Sequence, residues 1–136
     1  YNRPAALFVA GFTGAPPMNL VPASLAAPAT LDLGGVRFGL PAALAARAAG
    51  VAGLKFGVRP ENLSLQRLSD DSAALDAEVQ LLEPLGAETL VNFRVGGCEL
   101  TARCPASFRD SAGSRRTLYL QSEHMHLFDA ASGLAL

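Results

Sequence analysis

The sequence has 136 residues, enough for one domain, or two small intertwined lobes, around a real core. Half of the residues are apolar, 17% are charged and the net charge is −1. Ten Arg and one Lys against twelve acids leave no basic surplus for counterion release, which argues against a nucleic-acid partner.

The opening, YNRPAALFVAGFTGAPPMNL, lacks an initiator Met and suits the tail of a longer chain. Pro4 to Phe12 reads as a short helix, because proline is tolerated in a first turn. Leu7 with Gly11 and Phe8 with Phe12 fall at i,i+4 spacing, so Leu7, Phe8 and Phe12 are expected to form an apolar face for interdomain packing. Pro4 to Leu31 carries no charge, but prolines at 4, 16, 17, 22 and 28 interrupt it. Each removes a backbone donor, so an unbroken membrane helix is excluded and the chain reads as soluble. A secretory signal is excluded too, since no basic start leads into an apolar run.

After Met18 the pattern becomes one of strands. Leu31, Leu33, Val36 and Phe38 alternate around Gly34-Gly35, a two-residue hairpin signal. PAALAARAAG (41–50) has the best helical propensity in the chain, although ten residues are marginal without tertiary support. Leu54 to Val58 reads as a strand ended by Pro60. Leu75, Ala77, Val79 and Leu81 keep a strict period of two, with Asp76, Glu78 and Gln80 expected outward. Leu85-Gly86-Ala87 turns the chain into a strand from Glu88 to Val95, and Gly96-Gly97 turns it again into CELTARC. RRTLYLQ and HLF supply the last strands. Short strands separated by turns predict an all-β fold, a sandwich or small barrel.

Chemistry is sparse. The phosphate-cradling glycine loop with its Gly-Lys-Ser/Thr ending is absent, and the one lysine, Lys55, sits within a predicted strand. His124 and His126 would share a face of one strand, but zinc wants three or four ligands and the nearest acids fall elsewhere. Glu78, Glu83 and Glu88 read as a solvated face rather than an acid/base pair. Cys98 and Cys104 lie about 20 Å apart if they share a strand, beyond disulfide reach, and read as reduced thiols of a cytoplasmic protein. Neither a catalytic residue nor a metal ligand is expected.

Two segments offer candidate interfaces. Pro60 biases Arg59 towards an extended backbone, so Arg59-Pro60-Glu61 is expected to be a rigid corner with an exposed ion pair. Glu83-Pro84-Leu85-Gly86-Ala87-Glu88 is the best candidate for a control surface: Pro84 restricts the entry, Gly86 is expected at positive φ, and Glu83 and Glu88 present acid on a fixed scaffold.

Four segments in order resemble one family. The opening resembles the junction between the ATPase domain and the C-terminal regulatory domain in ATP-binding subunits of bacterial carbohydrate and glycerol-phosphate ABC importers of the maltose type. GVRPENL (57–63), EVQLLEPLGAETLV (78–91) and HLFDAASGLAL (126–136) are similar to that domain's later motifs. Ala6 stands where Asn is usual, SAGSRR replaces a Pro-Gly turn, and the family suggests an irregular connection at 41–50. The resemblance implies a linker over residues 1–17 and, over 18–136, a transport-associated OB (TOBE) regulatory domain whose OB-like strands interleave into two small barrels. It further implies subunit pairing as a homodimer, membrane permease subunits reached through the ATPase domain, and a possible regulatory protein as partners. ATP and Mg would bind the ATPase domain, with no cofactor here, on the inner face of the bacterial membrane. A stand-alone OB module binding a small ligand or oxyanion is the alternative.

Overall fold

Strand-forming runs punctuated by glycine turns give nine strands and one helix among residues 16–136, the residues that the computed structural model describes. The helix expected from Pro4 to Phe12, with Leu7, Phe8 and Phe12, lies outside the described residues. The strands are β1 (Asn19–Ala27), β2 (Thr30–Asp32), β3 (Arg37–Gly39), β4 (Leu54–Val58), β5 (Ala73–Pro84), β6 (Glu88–Val95), β7 (Cys98–Pro105), β8 (Arg115–Leu120) and β9 (His126–Asp129). They form a five-stranded sheet in the order β3-β2-β1-β4-β9 and a four-stranded sheet in the order β7-β6-β5-β8, antiparallel throughout. The chain completes β1 to β4 in the first sheet and β5 to β8 in the second. It then returns β9 to the first, beside β4, so the two sheets interleave in sequence. The all-β expectation matches this architecture.

The alternating apolar residues of both sheets meet in one core. Leu31, Leu33, Phe56, Leu75, Val79, Phe93, Leu100 and Leu118 are fully buried in it. Burial of each such side chain is worth roughly 1.5–3 kcal/mol. Phe38 and Phe56 meet edge to face at 5.4 Å between ring centres, as do Phe93 and Phe108 at 6.3 Å.

Both predicted glycine hairpins are present, and they pack back to back. Leu33 N–H donates to Val36 O at 2.9 Å across Gly34-Gly35, and Val95 pairs with Cys98 across Gly96-Gly97. Gly97 N–H then donates to Leu33 O at 3.2 Å, joining one sheet to the other. Gly34 and Gly96 both hold positive φ, 76° and 60°. A Cβ on Gly34 would sit 2.7 Å from Gly97 N, so the two turns touch only because side chains are missing.

The Ala-rich segment is a helix, α1 (Ala42–Ala48), and not the irregular connection that the family resemblance implied. Seven residues cannot hold a helix alone; the burial of Leu44, Ala45 and Ala48 against the core supplies the support.

A second departure concerns Leu81. The period of two holds at Leu75, Ala77 and Val79, but the register slips after it: Val79 pairs with Phe93 and Leu81 with Asn92, leaving Gln80 as an extra residue. Leu81 is therefore 68% exposed and Leu82 packs on the core instead. The slip comes where β8 ends its pairing with β5, at Glu78. Val79 instead bonds the loop between β7 and β8, donating to Ser114 O at 2.8 Å and accepting from Gly113 N–H at 2.7 Å.

Candidate functional site

The Arg59 corner is more deeply built than the sequence implied. Arg59 has the extended backbone that Pro60 demands (φ −76°, ψ 144°), and Pro60–Asn62 follows as a single 3-10 turn closed by Asn62 N–H on Arg59 O at 2.9 Å. That turn packs against β7. Arg59 is 2% exposed, so the corner expected at the surface holds a buried arginine and a buried Pro60, and Glu61 alone of the three faces solvent.

Two neighbours of this corner were not singled out from sequence. Gly57 lies on the outer face of β4, where a Cβ would come within 2.8 Å of Met18 Sδ, 3.0 Å of Phe128 Cε2 and 3.2 Å of Leu20 Cδ2. Met18 and Phe128, both buried, form a small cluster there with Leu20. Asn19 opens β1 beside Val58 and reaches β7 with its side chain. An Asn at a strand start gives no sequence signal for this, because its partner, Thr101, is 82 positions away.

The second candidate is the tip of the β5–β6 hairpin. Leu85 N–H donates to Glu88 O at 2.8 Å across the tip, with Gly86 at φ 93° and Ala87 outside the positive-φ region. The expectation for Gly86 holds. Glu83 pairs opposite Leu90, which places it on the outer face with Glu88. The two acids differ. Glu83 is exposed, whereas Glu88 is half-buried and meets Arg103 Nε of β7 at 3.6 Å. An ion pair this open is worth about 0–1 kcal/mol. Leu85 is 50% exposed, so with the bulged-out Leu81 the tip offers leucines beside an acid. Corner and tip meet through β7, which packs on the 60–62 turn and carries Arg103.

Elsewhere several acids are held by arginines. Asp76 and Glu78 both pair with Arg115, Glu78 at 3.8 Å. Asp110 holds Arg116 by bonds of 2.5 and 3.2 Å, and that pairing keeps its carboxyl below the usual range. His124 lies in a 3-10 turn (Ser122–His124) and His126 begins β9, so they do not share the strand face expected of them. No group of three or more His, Cys, Asp or Glu among the described residues is placed to hold a metal ion.

Cys98 and Cys104 lie on one face of β7 as free thiols. Burial pushes Cys104 up to about 11 and raises Cys98 as well. A thiol reacts as thiolate, so both are expected to resist iodoacetamide at pH 8. Half-buried Cys98 should label first, and Cys104 only as the fold is lost in denaturant; mass spectrometry of timed quenches checks the order.

A groove of about 750 Å³ runs between α1, the 122–124 turn and β9, bordered by Arg47, Asp71, Ser122, Glu123, Met125 and His126. Its size suits a small molecule, but groups of both charge signs border it and they single out no ligand class.

Comparison with known proteins places these features in context. Residues 56–128, more than half of the chain, match the TOBE domain, and residues 14–63 match the MalK OB fold domain. The chain is 37% identical to the xylose/arabinose import ATP-binding protein XacK of Haloferax volcanii, covering all of this chain and 36% of that protein. It is 40% identical to the sn-glycerol-3-phosphate import ATP-binding protein UgpC of Chromohalobacter salexigens, covering 96% of this chain and 35% of that one. It is 35% identical to the sulfoquinovosyl glycerol transport ATP-binding protein SmoE of Agrobacterium fabrum, covering 97% and 37%. The chain thus spans little more than a third of these relatives, and it matches their C-terminal region.

Proposed function

The chain belongs to the TOBE-domain family, and from that premise we propose that it is the C-terminal regulatory and dimerisation part of the ATP-binding subunit of a carbohydrate or glycerol-phosphate ABC importer. The observation that carries this reading is the match along nearly the whole chain to the C-terminal third of several import ATP-binding proteins, at 35–40% identity. In this reading ATP and Mg²⁺ bind a domain outside the chain, which itself performs no catalysis. The subunit works as a pair on the inner face of the membrane, with permease subunits engaged through the ATPase domain. Among the described residues no helix is long and apolar enough to cross a membrane.

The β5–β6 tip is the surface proposed to receive a regulatory partner. Leu81 and Leu85 supply apolar area that the core does not use, and Glu83 supplies a charge that recognises Lys or Arg. Glu88 is already engaged by Arg103, so the two acids have unequal parts.

The test uses the full subunit. Glu83→Lys should weaken partner binding about tenfold, and thereby change regulated transport, while basal ATP hydrolysis and subunit pairing survive. Glu88→Lys alone should do much less. Transport regulation at the wild-type level in Glu83→Lys and in the double variant would reduce the tip to a solvated hairpin. A subunit truncated before Pro16 that pairs and is regulated normally would overturn the functional reading itself.

A further inference from the structure

The side chain of Asn19 belongs to a different sheet from its main chain. The main chain pairs with Val58 in the five-stranded sheet. The carboxamide crosses to β7, the edge strand of the four-stranded sheet: Thr101 N–H donates to Oδ1 at 2.8 Å, and Nδ2 donates to Thr101 O at 2.9 Å and to Val58 O at 3.1 Å. One carboxamide thus makes, at Thr101, the two-bond pairing that a neighbouring strand would make there. Asparagine suits this task because it offers a donor and an acceptor in one plane, as a peptide does. Aspartate would turn only acceptors towards two carbonyl oxygens.

On either side of this contact the chain has little slack. Met18, the preceding residue, is buried against Phe128 and Leu20, and Pro17 before it has a fixed φ. On β7, Thr101 is two residues from Arg103, which shares its outer face and meets Glu88 at 3.6 Å.

We propose that Asn19 is a positioning residue that locks the four-stranded sheet, and the 83–88 tip it carries, to the chain entering the domain. Movement of a preceding ATPase domain then reaches the tip as movement of β7. This inference rests on the functional reading above, which supplies that domain.

Hydrogen exchange of the full subunit, with ATP and with ADP, tests it. In the wild type, protection of residues 89–105 should differ between the two nucleotides. Asn19→Ala should keep ATP binding and hydrolysis but raise exchange at the Thr101 amide at least tenfold, and it should cut the nucleotide-dependent difference over 89–105 at least threefold. Thr101→Pro removes the N–H that Asn19 Oδ1 accepts and puts the proline ring in its place, without loss of a ladder bond, and should reproduce that loss with Asn19 intact although residue 101 keeps its carbonyl. If either variant fails to fold, the other decides. Unchanged Thr101 protection in Asn19→Ala would overturn the clamp. An undiminished nucleotide difference in the variants, or none in an ATP-binding wild type, would overturn the relay. A full subunit that binds no ATP would instead overturn the functional reading, and the relay with it, while the Thr101 exchange measurement would still judge the clamp.

Discussion

Gly96→Ala is expected to destabilise the domain by about 2–5 kcal/mol, read as a lower urea midpoint at an unchanged slope. Two terms contribute. Gly96 sits at φ 60°, in the left-handed region, where an L side chain costs about 1–2 kcal/mol. Its new methyl group would also overlap the Leu33 carbonyl oxygen and come within 3.0 Å of Gly34 O and 3.1 Å of Val36 N. All three are backbone atoms of the facing hairpin, so no side chain can swing aside and the turn itself must shift. Overpacking of that kind costs about 1–3 kcal/mol. Set against a total stability of about 5–15 kcal/mol, the loss is large. Gly86→Ala is the control: φ is 93° there too, but nothing lies within 4 Å of an added Cβ, so only the conformational part, about 1–2 kcal/mol, should appear. Equal losses in the two variants would mean that the contact between the glycine hairpins carries no energetic weight.

The contrast between these glycines shows which features are legible in a sequence. Each of the turns at 34–35, 86 and 96–97 could be located from glycine between alternating apolar runs, because that signal is local. That two of them lean on each other is a fact of the third dimension, with no counterpart in spacing. The strand from Leu75 is legible to Val79 for the same local reason. The period fails at Leu81, because the bulge arises where β8 stops pairing, and the end of a neighbouring strand leaves no mark on β5 itself. The extended backbone of Arg59 follows from Pro60, but its burial does not, since that depends on the 60–62 turn folding onto β7. The acids at the tip were identified, yet their inequality was hidden: Arg103, which occupies Glu88, is 15 positions on and reaches it only through strand pairing. The least legible residue is Asn19, whose chemistry is spent on another sheet.

Phe128→Ala should cost about 3–5 kcal/mol, the range for a buried aromatic truncated to Ala, because its ring is fully buried against Met18 and Leu20 on the outer face of the five-stranded sheet. The more searching experiment combines it with Gly57→Ala. Alone, Gly57→Ala should cost about 1–3 kcal/mol, since the new Cβ would lie 2.8 Å from Met18 Sδ and 3.0 Å from the Phe128 ring. The methionine can turn away, but the ring is held between neighbours and cannot. Once Phe128 is Ala, the hole it leaves accepts the methyl group, so Gly57→Ala should become nearly neutral. The double variant should then be more stable than the sum of the single losses predicts, with a coupling of about 0.5–3 kcal/mol from urea unfolding. Met18, Gly57 and Phe128 come from three of the segments that carry the family resemblance, and the structure puts them in one contact. Strong coupling would mean that packing alone ties these three positions together, with no ligand needed to explain their joint presence. Strict additivity would leave that packing without energetic weight, and would return Gly57 and Phe128 to the set of residues for which a partner must be sought.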